Sequence, residues 1–198
     1  IRAEILESRM IKADETPIKV VIEGEKGTKT GYIWIYRTAD RVMFDFTLSR
    51  GRDGPKRMLG DWAGTLQTDG YSGYNEVCRA NGITRVGCWS HARRKFKDAL
   101  DSSRKDAARV LLILRRLFWI EAALKKRAQR IEVDGVAFIE LRKKIRNKRS
   151  RRVIEDLDRL LQELEQRRDI LPKSPLGEAI KYASNQWPML VHFLEDGQ

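Results

Sequence analysis

The sequence changes character once, near residue 90, and this change most strongly limits the folds open to it. Before that point, short β-branched and aromatic segments alternate with turns that contain Gly, Asp or Pro, which is the pattern of β-strands. From His91 onward, apolar residues recur every three or four positions, as in amphipathic helices. We therefore expect a sheet-containing core over residues 1–90 and a basic helical insertion or appended subdomain over residues 91–198.

The N-terminal part contains five strand-like segments. They are IKVVI (18–22), YIWIY (32–36), VMFDF (42–46), TLQT (65–68) and ITRVGCW (83–89). The short TADR link predicts a hairpin between the second and third segments, so the first three form a candidate antiparallel meander. A predicted helix over residues 71–80 separates the last two, which makes them candidates for parallel pairing. This order predicts an α/β fold with a mixed five-stranded sheet and helices on its faces.

The C-terminal part carries two long apolar stripes at helical spacing. The first covers Ala107–Leu124, and the second comprises Ile154, Leu157, Leu160, Leu161 and Leu164. A last helix is expected from about Leu176 towards Glu195, with Ser174 as its N-cap, Pro175 in its first turn and Pro188 inside it. Stripes of this kind usually form a core or a seam between helices.

Positive charge is concentrated in the helical part. Residues 1–90 hold 14 basic and 12 acidic residues, whereas residues 91–198 hold 26 and 16, and the whole chain has a net charge of +12. The densest run, RKKIRNKRSRR, contains 8 basic residues in 11 and no acid. A solvated helix face is the ordinary explanation for such a run, but the absence of a local acid favours a phosphate-contacting surface. The predicted contacts are Arg93, Arg94, Lys95, Arg142, Lys143, Lys144, Arg146, Lys148, Arg149, Arg151 and Arg152.

Several classes of protein do not fit the composition. The longest unbroken aliphatic run, Val110–Leu114, is far short of the roughly 20 residues that a membrane span needs. No signal peptide is visible, and two cysteines do not make a disulfide framework but fit a reducing compartment. We therefore expect a cytoplasmic protein without a membrane partner. The first residue is Ile rather than Met, which suggests a trimmed or partial chain.

Two acidic residues lie at positions where an α/β sheet can bring carboxylates together. Asp14 lies in KADETP, beside the first predicted strand, and Asp69 follows the TLQT segment. Acids at the ends of neighbouring strands can share a metal, and carboxylate oxygens suit Mg²⁺ or Mn²⁺. A pair of such ions would clamp the attacking and leaving oxygens of a phosphodiester. Routine turn and loop acids remain the alternative explanation for both residues.

Cys88 and His91 form a C-x-x-H pair whose spacing suits a zinc ligand set. A structural zinc site needs four ligands, so Cys78 and His192 would both have to join it. A Cys–His nucleophile pair is also conceivable, although the chain has no Gly-rich nucleophile elbow. Packing of Cys88 at a strand end remains the simplest explanation.

Taken in order, five motifs resemble one known family. They are ADETP, GYIWIY, LQTDGYSGYN, VGCWSHARRKF and LPKSPLGEAIKYASNQWPMLVHFLEDG. The ordered set resembles the central region of the DDE transposases of the insertion sequence 66 family, from about Lys12 to Gly197. DGY, CWSHARRKF and LPKS-LG-AI carry most of the likeness.

The resemblance implies an RNase H-like core interrupted by a helical insertion, acting on DNA in the nucleoid of a bacterium. It implies cleavage at transposon ends and joining to target DNA, with Mg²⁺ or Mn²⁺ as cofactor and a homo-oligomer in the synaptic complex. The first and second catalytic Asp of the family fall on Asp14 and Asp69, and its C-x-x-H element falls on Cys88 and His91. The third carboxylate is expected downstream of LEDG, and the pattern does not place it at Glu195 or Asp196.

Three functions follow as hypotheses. The first is a transposase core fragment that binds DNA but has little strand-transfer activity alone, because the third carboxylate is missing. The second is a non-catalytic nucleic-acid-binding module that uses only the basic surface. The third is an RNase H-like nuclease that hydrolyses DNA without joining it.

Overall fold

The computed structural model describes residues 1–24, 26–130 and 135–197. It divides the chain into two compact units, Ile1–Val86 and Gly87–Gln198. The first unit contains the sheet and short helices, and the second is helical.

The first unit is built on a mixed five-stranded sheet with the strand order β3-β2-β1-β4-β5. β1 pairs antiparallel with β2, β2 pairs antiparallel with β3, and β4 pairs parallel with β1. This is an RNase H-like α/β fold, as predicted. The strands are β1 (Met10–Val21), β2 (Thr28–Arg37), β3 (Val42–Thr47), β4 (Thr65–Thr68) and β5 (Thr84–Gly87). The helices of this unit are α1 (Arg2–Leu6), α2 (Asp53–Leu59) and α3 (Asn75–Ala80), with a 3₁₀ turn at Ser72–Tyr74.

The core of the first unit lies on one face of the sheet. Ile11 and Leu66 occupy adjacent positions on β1 and β4, and both are fully buried. Trp34 is also fully buried, and its indole N–H donates to Thr47 Oγ1 at 2.7 Å. Gly54 of α2 lies close to this ring, since a Cβ there would be 3.1 Å from it. The aromatic residues of GYIWIY thus anchor α2 to the sheet.

Three elements differ from the sequence predictions. β1 begins at Met10 rather than near Ile18, because β2 pairs with it continuously from Lys12 to Val21. Asp14 therefore lies within this strand rather than beside it. The predicted helix over 71–80 begins only at Asn75, and β5 ends at Gly87, so Trp89 belongs to the following helix.

The outer strand β3 exposes an apolar stripe. Val42, Phe44 and Phe46 alternate along the strand, Leu48 follows it, and all four side chains are exposed. The ring of Phe46 lies over Gly31 of β2, where a Cβ would come within 2.6 Å of Cε2. A larger residue at position 31 would therefore displace this ring.

The second unit consists of helices packed along the predicted apolar stripes. They are α4 (Trp89–Asp98), α5 (Arg104–Arg130), α6 (Gly135–Ile145), α7 (Arg151–Glu165) and α8 (Pro175–Val191). A π-helical turn, Arg146–Ser150, joins α6 to α7, and a 3₁₀ turn, His192–Leu194, follows α8. All five residues of the predicted stripe on α7 are buried. No helix within the described residues is both long and apolar enough to cross a membrane.

The N-cap of the last helix is the one that the sequence indicates. Ser174 Oγ accepts a hydrogen bond from the Gly177 N–H at 3.1 Å, and Pro175 is the first helical residue. The helix also continues through Pro188. A side-chain cap satisfies one of the backbone donors that a helix start leaves without an intrahelical partner.

Candidate active site

The parallel pairing of β1 and β4 ends two residues before Asp14 and two residues before Asp69. β1 and β4 run parallel, with Lys12 opposite Gln67, and each Asp lies two residues further along its chain. Along β1, Asp14 lies on the face opposite Ile11 and Ala13, whereas Asp69 lies in the turn that directly follows β4. The two predicted acids therefore follow the last paired residues of these strands at equal distances along the chain.

Local hydrogen bonds orient both carboxylates. Asp14 is exposed, and its Oδ1 accepts from the Glu15 backbone N–H at 2.9 Å. Asp69 is half-buried, and its Oδ1 accepts from the Tyr71 N–H at 2.8 Å. The second bond is an Asx-type turn, which explains why Asp-Gly-Tyr follows the strand directly.

A third acid, Glu15, is buried next to this pair. Its side chain is only 2% exposed, and Oε1 accepts from Arg50 Nε at 2.9 Å and also from Arg50 Nη2. Within the described residues, its buried Oε2 has no hydrogen-bond partner. Burial raises the pKa of Glu15, the charges of Asp69 and Asp14 raise it further, and the Arg50 guanidinium opposes both effects. The three acids thus form one negative region with Arg50 as counter-charge.

Arg50 also links this region to the turn that carries Asp69. Its guanidinium carbon lies 4.1 Å from the centre of the Tyr71 ring, and the Tyr71 hydroxyl donates to the Arg50 carbonyl oxygen. Tyr71 in turn donates its N–H to Asp69. The segment after β3 is therefore tied to the end of β4 through a single aromatic side chain.

Arg85 of β5 holds the backbone of the same turn. Its guanidinium donates to the carbonyl oxygens of Asp69 and Tyr71, at 2.8 and 2.6 Å. It also donates to Thr68 Oγ1 at 2.8 Å and to the side-chain oxygen of Asn75. A planar fork of donors suits several acceptors at once, so Arg85 is the residue that positions the Asp69 turn.

Replacing Arg85 with Lys should loosen this turn although the charge is kept. An ammonium group cannot reproduce the fork, so carbonyl oxygens of the turn would lose their donors. We expect a loss of about 1–3 kcal/mol in the free energy of unfolding, measured by urea denaturation. The control is Arg79→Lys on α3, where the side chain is exposed. Equal losses in the two variants would show that Arg85 does not hold the turn.

In the second unit, Cys88 and His91 lie at the start of α4. Cys88 precedes the helix, and its carbonyl oxygen accepts from the His91 N–H at 3.1 Å. Burial raises the pKa of the Cys88 thiol, but hydrogen bonds from His91 and from the Ser90 backbone outweigh it, so the pKa lies below its ordinary value. The two motif residues therefore interact directly.

Residues 1–24, 26–130 and 135–197 contain no group of three or more His, Cys, Asp or Glu side chains that could hold a metal ion. The zinc hypothesis, which also needs Cys78 and His192, gains no support from this part of the chain. Asp14 and Asp69 are two carboxylates and do not belong to any such group of three within the described residues.

Most of the predicted basic contacts are exposed. Arg93 lies over the Phe118 ring and Lys95 over the Tyr182 ring, at 5.9 and 5.0 Å from the ring centres. The exposed members of the two basic segments are Arg93, Arg94, Lys95, Lys143, Lys144, Lys148, Arg149, Arg151 and Arg152. These side chains have the exposure that phosphate contacts require.

Arg142 and Arg146 instead belong to a buried ion-pair cluster. Arg146 is 5% exposed, and its Nε donates to Glu121 Oε1 at 2.8 Å. Arg142 is half-buried, and its Nη2 lies 2.7 Å from Glu121 Oε2. The acid that the basic run lacks locally is thus supplied by α5. We assign both arginines a structural role, which sequence spacing could not indicate.

The mixed five-stranded sheet and its helices define the chain as an RNase H-like α/β protein. In a comparison with protein families, the Transposase IS66 family matches residues 1–198. The chain belongs to that family, which confirms the resemblance stated from its motifs.

Three curated proteins that resemble this chain are uncharacterized proteins of Sinorhizobium fredii (strain NBRC 101917 / NGR234). Over the whole of this chain the identity to y4qI is 30%, and over 93% of this chain the identity to y4jD is also 30%. A third, y4hP, is 26% identical over the whole chain. The chain spans 37–38% of the length of these relatives.

Proposed function

We propose that this chain is the DNA-processing core of a DDE transposase. In this proposal Asp14 and Asp69 hold a divalent cation, Mg²⁺ or Mn²⁺, for phosphodiester cleavage and strand transfer at transposon ends. The observation that supports the proposal is the parallel register of β1 and β4, because Asp14 and Asp69 each lie two residues beyond its last pair. Family membership supplies the reaction class.

The donors at this site fit a hard cation. Mg²⁺ commonly takes one or two carboxylates and completes its shell with water and substrate phosphate oxygens. Glu15 is not proposed as a ligand, because Arg50 already occupies its Oε1. When bound, the cation would supply positive charge beside the phosphodiester oxygens. The third carboxylate of the family pattern is not assigned to a residue of this chain.

In this proposal the protein's own residues hold the cation, position the Asp69 turn, balance the charge of the acids and contact DNA. Asp14 in β1 and Asp69 just after β4 would hold the cation, and Arg85 keeps the Asp69 turn in place. Arg50 offsets the repulsion among the three clustered acids. The exposed basic residues of α4, α6, the π turn and α7 would contact DNA phosphates, which gives affinity with little sequence preference.

At the level of the whole protein, residues 1–90 would be the catalytic core and residues 91–198 a basic DNA-holding subdomain. Synapsis of two transposon ends would require a homo-oligomer, and the protein would act in the cytoplasm on the nucleoid. Because the chain spans 37–38% of its relatives, we propose that it binds DNA by itself but joins DNA ends poorly.

Binding of Mn²⁺ to the 198-residue chain tests the proposed site directly. We expect weak binding in a calorimetric titration, reduced roughly tenfold or more in both Asp14→Asn and Asp69→Asn, because each change removes an anionic ligand. Asp61→Asn, which changes an exposed acid away from β1 and β4, should bind as the wild type does. Unchanged affinity in the two site variants would contradict the proposal.

A non-catalytic basic module is the alternative that the exposed basic residues support. It predicts DNA binding without any dependence on Asp14 or Asp69. An RNase H-like nuclease would share the metal site but would release hydrolysed DNA with no joined product.

A further inference from the structure

A basic groove lies on the surface of the helical unit. It has a volume of about 370 Å³ and is bounded by α5 on one side and by the π turn and the start of α7 on the other. Ile120 and Val153, both buried, contribute to its lining. The predicted basic run supplies three of its cations, but the sequence does not indicate that they border a groove with α5.

Trp119 lines the groove with most of its ring open to solvent. Its side chain is 65% exposed, although other large apolar residues of α5, such as Leu114 and Leu117, are buried. An indole is flat and rigid, and its face can stack on another planar ring at small entropic cost. An exposed Trp in a concave surface therefore indicates a binding platform.

Four of the seven lining residues are basic, although the wall of the groove itself is mostly apolar. Lys148, Arg149 and Arg152 face Trp119 across the groove and have no ion pair within the described part of the chain. Arg116 also lines it, but its guanidinium lies 2.9 Å from Asp156. Among the described residues, no acid lines the groove. An anionic occupant with a planar ring would complement both the flanking cations and the exposed indole.

The π-helical turn explains how one basic run supplies both a buried ion pair and the cations of the groove. Arg146 and Ser150 of the turn are buried, and Arg146 reaches Glu121. Lys148 and Arg149, between them, line the groove. A π turn widens the helix by one residue and commonly marks a functional position. Here it separates the structural arginine from the groove-lining cations.

We propose that this groove binds an unpaired nucleotide of single-stranded DNA. The base would stack on Trp119, and the flanking phosphates would contact Lys148, Arg149 and Arg152. Bases of a duplex are already stacked and cannot present a face to the ring, so the groove distinguishes open DNA from paired DNA. The inference rests on the proposed function only in taking DNA as the polyanion.

Fluorescence polarisation with a labelled 12-nucleotide thymidine strand and a 20-base-pair duplex tests this inference. The wild-type chain, Trp119→Ala and Trp119→Phe are compared in EDTA, so that metal binding and the two Asp residues play no part. We expect Trp119→Ala to weaken single-strand binding about tenfold and duplex binding less than twofold. Trp119→Phe should recover most of the single-strand affinity, because a phenyl ring also stacks.

Two controls separate stacking from charge and from general damage. Leu112→Ala removes another exposed apolar side chain of α5 that is outside the groove, and it should bind both DNAs normally. An abasic strand of equal length should bind the wild type about tenfold more weakly than the thymidine strand. Reversal of charge at Lys148, Arg149 and Arg152 together should weaken the binding of both DNAs. For the single strand, the slope of log affinity against log salt concentration should become shallower by about two.

Three results would overturn the inference. One is a Trp119→Ala variant that keeps its single-strand affinity within twofold, and another is an abasic strand that binds as well as the thymidine strand. The third is equal loss of single-strand and duplex binding in Trp119→Ala. None of these results affects the Mn²⁺ titration. The DNA-binding groove and the proposed metal site are therefore tested independently of each other.

Discussion

Asp14→Asn and Asp69→Asn should each lower DNA cleavage and joining roughly 10³-fold or more in a chain extended to the length of its relatives. Asn keeps the shape of each side chain but removes the charge that holds the cation beside the phosphodiester. Loss of one preorganised electrostatic contact of this kind costs about 10²–10³ in rate, and loss of a metal ligand affects the whole site. DNA affinity should remain within twofold, because the exposed basic residues are unchanged.

Gel analysis of labelled transposon-end DNA in Mg²⁺ or Mn²⁺ measures both steps. Cleaved ends and joined products are quantified separately, with Asp61→Asn as the matched acid control. Activity that survives in either site variant would exclude this pair as the catalytic carboxylates. Cleavage without any joined product would instead favour a nuclease.

Glu121→Gln should be the most destabilising single change considered for the helical unit. It leaves Arg146, which is 5% exposed, without its anionic partner and removes the partner of Arg142 as well. Removal of one member of a buried ion pair typically costs about 3–5 kcal/mol, because the remaining charge stays desolvated. Arg146 keeps hydrogen bonds to the carbonyl oxygens of Phe193 and Asp196, so we expect the lower part of that range.

The same cluster predicts a pH dependence. Burial raises the pKa of Glu121, but the hydrogen bond and charge of Arg146 and the charge of Arg142 lower it more, and the net pKa lies below 4.5. In acid the unfolded chain binds a proton at this residue before the folded chain does, so stability falls as the pH drops below about 4.5. Above that pH the full contribution is present. Glu121→Gln should remove this part of the acid sensitivity.

Urea denaturation at pH 7 and pH 4, followed by circular dichroism, measures both effects. Glu163→Gln is the matched control, because Glu163 pairs with Arg109 at 2.8–2.9 Å but both side chains are about half exposed. Exposed pairs contribute about 0–1 kcal/mol, so this control should change little. Similar losses in both variants would show that the Glu121 cluster is no more important than a surface pair.

The sheet was predictable because its signals are local. The segment TLQT coincides with β4, and the aromatic run YIWIY lies inside β2. The start of β1 was not predictable, because polar residues such as Lys12 and Asp14 become strand residues only through pairing with β2. We also expected β4 and β5 to be neighbours, and they are adjacent in the sheet.

The sequence singled out the two acids of the candidate site but none of its supporting residues. Asp69 was selected because it directly follows a strand-like segment, and Asp14 because it precedes one, although Asp14 lies inside β1. Arg50 and Arg85 could not be selected, because their partners lie 35 and 16 residues away and nothing in their local sequence indicates them. Glu15 had one usable signal, since strand alternation puts it on the core side next to Asp14. In the basic run, the sequence did not indicate that Glu121 of α5 pairs with Arg142 and Arg146. The number of basic residues available to phosphates was therefore predicted too high.

The apolar stripe on the outer strand β3 has a consequence for the colloidal behaviour of the protein. Val42, Phe44, Phe46 and Leu48 give copies of the chain a surface on which they can adhere, beside an open strand edge. A net charge of +12 keeps such copies apart at low ionic strength. Concentrated salt shortens the range of that repulsion to a few ångströms and strengthens hydrophobic adhesion when the anion is sulfate or phosphate. A high-salt purification step is therefore also the condition in which the chain is most prone to precipitate.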